Sequence, residues 1–405
     1  MSRVVSMGKW AVLLLLAGTT AWPAMAAAKS ASIQQFEQMM FAVQGKSDEK
    51  AADRLGDVVL TERVSPARLA KWEKQFPGSH TREVLMRLAD ESAFLEPPVD
   101  DVVKDPMPDV ETQQRMMTVA LDYVKTATRQ MPNFLATRGT THFEDNPTPA
   151  SESRSLPMSI ESAARAIRVP GYTSGRSESK PMHITGTTKM TVTYRDGYEV
   201  RDTDLGKAKK EARPTNSLTT SGEFGPILGV VVGDALRSEV TWARWEQGAS
   251  DPVAVFHYSV PEDRSNYGVG VPNGGKFEDV YPAYHGEIAL DPATGAILRL
   301  SIVVEMAPPN QMMQTAMLVE YAPVVIGDRT YTCPVHGVAF SKVPVANPKV
   351  PQGVVAQAND NNVEILTQLN DVTFTEYHLF GSEARIVGDG GGKSETAPAG
   401  TGPQN

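Results

Sequence analysis

The feature that most constrains this chain is a single change of period near residue 133. Up to that point apolar residues recur every three or four positions, and beyond it they alternate with polar ones. A helix turns one face to a core with the first period and a strand does so with the second. A chain that switches once is expected to be α+β: an N-terminal helical domain, then a curved antiparallel sheet, half-barrel-like, with a covering helix. In the helical part, "SIQQFEQMMFAV" sets Ile33, Phe36, Met39, Met40 and Val43 on one face. Ser47 and Ser65 stand at cap positions, Pro66 opens a helix that carries Leu69 and Trp72, and Pro77-Gly78 closes it. Val84, Leu85, Leu88, Phe94 and Leu95 form the next inward stripe, stopped at Pro97-Pro98. A proline- and acid-rich linker leads to the longest helix, which ends before Pro132. These Met and Leu stripes read as core.

The alternating part opens with "FLATRGTTHFED" and a hairpin turned by Asp196-Gly197, where positive φ suits the strand twist. Further strands run from "VTWARWEQG" to "EILTQLNDVTFTEYHLFG", joined mostly by short connections, so an antiparallel meander is expected. The segment from Phe224 to Leu236 is apolar and helix-like, a natural cover for an apolar sheet face. "VTWARWE" is expected to place Val240 and Trp242 on one face and Trp245 on the other. In "YHGEIALDPATGAILRL", Tyr284, Gly286, Ile288 and Leu290 share a face, and His285 and Glu287 lie opposite. On the return strand Leu298, Leu300, Ile302 and Val304 are expected to face the core. His285 and Glu287 read as a solvated pair within reach of Arg299. The hairpin is a wall, not a catalytic dyad.

The chain of 405 residues has 41% apolar and 21% charged residues, enough apolar material for a core. Arg3 and Lys9, a short apolar run from Trp10 to Gly18 and small residues at Ala24, Ala26 and Ala28 read as a signal peptide over residues 1–28. The remaining division is a helical domain at 29–132, a β domain at 133–387 with a polar insertion at 146–182 holding a short helix at 160–167, and a disordered tail at 388–405. The formal charge of −9 falls to −11 once the two cations of the leader are removed. A net acidic chain with no basic stripe argues against nucleic acid and anionic lipid surfaces. No later segment is apolar and long enough to span a bilayer as a helix, so an exported, soluble protein of the periplasm or the medium is expected.

The motifs for chemistry are few. Cys333, the single cysteine, rules out an internal disulfide. Cys333 and His336 in "CPVH" stand three apart in a strand, which points them to opposite faces and disfavours joint metal binding. "GDGGGKSE" in the tail lacks the spacing and setting of a phosphate loop. No catalytic, cofactor-binding or metal-ligating set is assigned. The hairpin from Tyr284 resembles one in the lipoprotein-sorting carriers of the bacterial envelope, the Lol-type half-barrel superfamily. Tyr284, Gly286, Ile288, Leu290, Asp291, Gly295, Ile297 and Arg299 carry the resemblance, within a β region of about 134–387. It implies a half-barrel closed by helices over an apolar cavity that holds acyl chains. On that reading the protein binds a hydrophobic ligand, a lipid or a lipoprotein without catalysis. Trp242, Phe256, Tyr258, Ile288, Leu298, Leu300 and Met317 would line the cavity. Two other readings stand beside it: a protein-interaction or envelope-stress-sensing module with a self-filled core, and a hydrolase using His142 or His183.

Overall fold

The computed structural model describes residues 29–145, 148–149, 182–200, 218–273, 276–306, 314–346 and 363–380. The expected leader, nearly all of the polar insertion with its short helix, and the tail lie outside them. The chain begins with a small unit. In it β1 (Lys29–Ala31) and β2 (Val58–Leu60) pair in parallel, with α1 (Ile33–Val43) and α2 (Asp48–Gly56) between them and α3 (Pro66–Gln75) and α4 (Ser79–Glu91) following. Ser32 and Gln35 cap α1 reciprocally, each side chain bonding the other's backbone N–H. Ser47 and Ser65 occupy N-cap positions but make no side-chain cap. The Asp48 carboxylate instead accepts the His80 and Thr81 backbone N–H groups at 2.9 and 3.0 Å, satisfying the start of α4. Phe36, Leu55, Trp72, Leu85 and Leu88 close the core of this unit.

The next helix, α5 (Val110–Gln130), packs elsewhere. Its buried residues Met117, Ala120 and Val124 belong to the core of the sheet. Packing therefore divides the chain between α4 and α5, ahead of the change of period at residue 133. A change of period marks the end of a helix and says nothing about which core that helix joins.

Twelve strands form the main sheet. A short β3 (Val102–Val103) lies at one edge. It is followed across the sheet by β8 (Glu239–Glu246), β9 (Val253–Val260), β12 (Tyr284–Leu290), β13 (Ile297–Glu305), β14 (Gln314–Ile326), β15 (Arg329–Ala346) and β16 (Val363–Leu379). This is the expected antiparallel meander, interrupted between β9 and β12 by a separate ribbon of β10 (Val269–Asn273) and β11 (Lys276–Val280). The early strands do not precede the meander in space. β4 (Phe134–Glu144), β6 (His183–Arg195) and β7 (Tyr198–Val200) are added beyond the last strand, with β4 paired to β16 and β5 (Thr148–Pro149) also on β16.

Both faces of the middle of the sheet are covered. On one, α5 and α6 (Pro226–Leu236) pack on Phe256, Tyr258, Ile288, Leu300 and Met317. On the other, Ala93 and Phe94, just past α4, pack on Val303, Leu318, Val338 and Phe340. The expected solvated face is thus an interface, and Glu287 is only 4% exposed.

Two β-bulges correct the strand readings. Trp242 pairs with Phe256 but Arg244 with Val255, so the alternation inverts at Ala243. Trp245 then joins Trp242 on the apolar side, with ring centroids 4.8 Å apart, and Arg244 turns to the polar side. In the hairpin, Ala289 pairs with Arg299 but Leu290 with Ile297. Leu298 is the extra residue and only half-buried, while Ile297 is fully buried beside Leu300, Ile302 and Val304.

Candidate functional site

The apolar layer holds the predicted ligand-lining residues. Phe256, Tyr258, Ile288, Leu300 and Met317 meet there in one cluster, Trp242 packs at its margin, and Leu298 sits outside it. Side chains from the protein itself fill this face. Ile227, Val231, Val232 and Ala235 of α6 enter it, together with Met117, Ala120 and Val124 of α5. The void between α5, the start of α6 and the sheet, lined in part by Val124, Phe224, Leu228 and Tyr321, has a volume of about 20 Å³. That is room for about one water.

Polar bonds hold α6 at both ends. Tyr321 Oη donates to the Glu223 carbonyl at 3.0 Å just before the helix. Near its end, the fully buried Asp234 accepts from Tyr284 Oη at 2.8 Å, from the Asn266 backbone N–H at 2.8 Å and side-chain amide at 2.7 Å, and from Arg237 at 2.6 Å. Burial, then Asp234, pushes the Tyr284 hydroxyl above the usual tyrosine range.

The polar layer lies on the opposite face, under the N-terminal unit. It grows from a cross-strand row in which Arg299 of β13 pairs with Glu320 of β14, and Glu320 with His336 of β15. Glu246 and Glu287 lie beside Arg299. Glu246 accepts from Arg299 at 2.9 and 3.0 Å, from Arg63 at 2.8 Å and from Arg244 at 2.7 and 3.0 Å. Glu287 accepts from Arg244 at 2.7 and 2.9 Å and from Arg299 at 3.3 Å. Burial opposes charge on both carboxylates. The guanidinium groups outweigh it: chiefly Arg299 and Arg63 at Glu246, and Arg244 and Arg299 at Glu287. Both acids are held below the usual carboxylate range. Arg63 descends from the helical unit, so these ion pairs join that unit to the sheet. His285, on the polar side with Glu287, pairs in register with Ser259 and Val303.

At the other end of the row, His336 stands among three carboxylates. Nδ1 is 3.1 Å from Glu320 Oε2, and Nε2 is 2.9 Å from Asp371 Oδ1 and 3.5 Å from Asp90 Oδ1. Asp371 comes from β16 and Asp90 from α4. Burial works against charge on His336, but hydrogen bonds to Asp371, Asp90 and Glu320 hold its pKa well above the usual value. Burial raises the Asp90 carboxyl to about 7.

His142 and His183, the candidates for hydrolysis, do not converge. His142 bridges Asn370 at 2.8 Å and Thr188 at 3.3 Å, side chains that cross-strand neighbours bring together, and His183 is exposed opposite Glu144. Cys333 is fully buried in a separate apolar cluster with Phe134, Tyr194 and Phe224, and His336 lies in the polar layer; a register shift in β15 falls between the two, so the simple alternation expected of "CPVH" does not describe them.

Sequence reasoning missed the polar layer. Alternation from Trp242 points Arg244 the wrong way, Arg63 falls in the stretch before the Ser65 cap that no periodicity assigns to a face, and Asp90 lies outside the apolar stripe of its helix. The one available signal was the density of charges on the polar sides of neighbouring strands. Among the described residues, no helix is long and apolar enough to cross a membrane. No family model, curated protein or solved structure matches this chain.

Proposed function

We propose that this is a non-catalytic binding protein of the bacterial envelope, in which α6 is a removable cover over an apolar sheet face that receives an acyl chain. The observation that carries the reading is the character of α6. It is apolar around its circumference, "PILGVVVGDAL", yet it lies at the surface, with Leu236 38% exposed. A helix of that composition normally belongs inside a protein or against lipid. Energetics permit the exchange. Withdrawing Ile227, Val231 and Val232 forfeits roughly 5–9 kcal/mol at about 1.5–3 kcal/mol per side chain, and burying a dozen methylenes returns about 10 kcal/mol. The resemblance of the Tyr284 hairpin to the Lol-type carriers points the same way, as does the leader-like start of the chain.

Native mass spectrometry of protein purified from a bacterial envelope without detergent, with solvent extraction of the same sample, tests this. A co-purifying lipid, or uptake of added fatty acid or lipopeptide, is expected. Loosening the helix with Asp234→Asn should increase the uptake, and a folded variant with Phe256 and Leu300 made polar should lose it. A clean apo mass with no uptake by any of these proteins would sink the reading.

One observation favours a second reading, an interaction module with a closed core. The apolar face is filled in this conformation, while the β10–β11 ribbon carries Phe277 at 65% exposure and Tyr281 follows it at 55%. Absence of lipid together with a cross-linked protein partner at this ribbon would select it.

A further inference from the structure

We propose that Asp90, His336 and Asp371 form a divalent transition-metal site, with Glu320 as the outer partner of the histidine, that clamps the N-terminal helical unit onto the sheet. The ligand atoms lie within 4.8 Å of one another. Bonds of about 2.0–2.2 Å from a metal to imidazole nitrogen and carboxylate oxygen place neighbouring ligand atoms roughly 2.9–3.5 Å apart. His336 Nε2 is 2.9 Å from Asp371 Oδ1 and 3.5 Å from Asp90 Oδ1.

The other ring nitrogen is committed. Nδ1 lies 3.1 Å from Glu320 Oε2, and in the neutral tautomer that donates Nδ1–H to that carboxylate the Nε2 lone pair is directed at the two aspartates. A carboxylate holding a metal-bound histidine in this way is the usual second shell of protein metal sites.

Asp90 supplies an independent observation. It is 2% exposed, and its Oδ2 is buried with no hydrogen-bond partner among the described residues. An orphaned buried carboxylate oxygen is costly unless a cation meets it. Charge balance agrees. Carboxylates outnumber guanidinium groups in the layer: Asp90, Glu246, Glu287, Glu320 and Asp371, with the more exposed Glu96 beside Arg244, face Arg63, Arg244 and Arg299. A divalent ion on a neutral His336 offsets more of this excess than an imidazolium does. His336 keeps 28% of its side chain exposed, which gives a metal and its water ligands a way in. The comparable group of Glu96, His257 and Glu287 fails this test, because Arg244 already meets Glu287 at 2.7 Å and Glu96 at 3.1 Å. Two carboxylates and one imidazole suit Zn²⁺ or Mn²⁺ better than Ca²⁺.

The test uses the full chain, stripped with chelator and titrated calorimetrically with ZnCl₂ and MnCl₂. Co²⁺ serves as an absorption probe of coordination. One equivalent of Zn²⁺ or Mn²⁺ is expected to bind and to raise the unfolding temperature. His336→Ala and Asp371→Asn should each abolish the stoichiometric binding and the temperature rise together. Glu320→Gln should weaken affinity roughly 10–100-fold while retaining one equivalent. Asp90→Asn, which removes charge with little change of shape, is the variant least exposed to misfolding and should weaken binding at least tenfold. No stoichiometric binding by the wild type overturns the proposal, and so does stoichiometric binding that survives in folded His336→Ala or that keeps wild-type affinity in folded Asp90→Asn.

Discussion

Glu246→Gln tests the join between the helical unit and the sheet most directly. The glutamate receives five hydrogen bonds of 2.7–3.0 Å from Arg63, Arg244 and Arg299 and is 6% exposed. Glutamine keeps the shape but removes the charge. Arg244 and Arg299 retain Glu287, whereas the nearest remaining carboxylate to Arg63 is Glu287 at 4.0 Å. Removing one partner of a buried ion pair costs about 3–5 kcal/mol, because the other is left buried and uncompensated. With a urea slope of about 3 kcal/mol per molar, the unfolding midpoint should fall by roughly 1–1.7 M at pH 7. Pairing the change with Arg63→Met should recover part of the loss, since the stranded cation is then gone. The pH dependence has a defined sign. Glu246 is held below its unfolded value of about 4.3, so its contribution is complete above that pH and fades as pH falls through the lower folded value. The gap between wild type and variant should stay constant from pH 7 to about 5 and close in more acid solution. A midpoint within about 0.2 M of wild type at pH 7, or a gap that widens in acid, would falsify the reasoning.

Three further outcomes follow from the packing. Cys333 is fully buried and its thiol is pushed up to about 12, so iodoacetamide at pH 8 should leave the native protein unmodified and label it once it is unfolded in guanidinium; mass spectrometry of the two samples decides. Gly286→Ala would bring a Cβ within 2.0 Å of the Ser301 carbonyl oxygen, and thermal unfolding should show a loss of at least ~1–3 kcal/mol; an unchanged melting temperature would mean that β12 and β13 are not so closely apposed. Tyr284→Phe deletes a hydrogen bond to the buried Asp234 carboxylate and should cost about 1.5–3 kcal/mol. Hydrogen exchange should then be faster in α6 than in β12, and equal acceleration of the two would argue against a cover that moves by itself.

The helices and most strands were legible because their signals are local. Pro66 and Pro77-Gly78 punctuate the helices, the apolar stripe of α1 and Leu85 and Leu88 of α4 face inward as their spacing requires, and Asp196-Gly197 turns β6 into β7 with positive φ at both residues. The cover helix was visible in its composition. Gly286 and Gly295, two marks of the resemblance, meet the Ser301 carbonyl and the α5 backbone so closely that a side chain has no room.

What the sequence by itself determined is the order and type of the elements and the identity of the apolar sheet face, since periodicity reports how one segment divides between a dry side and a wet one. The tertiary structure alone decided what covers each side. It moved α5 to the sheet, set β4 beside β16, and used single-residue bulges at Ala243 and Leu298 to redirect Arg244 and Ile297. It also assembled Arg63, Asp90, Glu246, Glu287, Arg299, Glu320, His336 and Asp371, from the segment before α3, from α4 and from six strands, into one layer. Alternation marks those strand positions as polar and leaves open whether water or another part of the chain meets them. The docking of the N-terminal unit settles that, and docking depends on contacts between residues as many as 281 positions apart in the numbering, Asp90 and Asp371 among them, which no local pattern records.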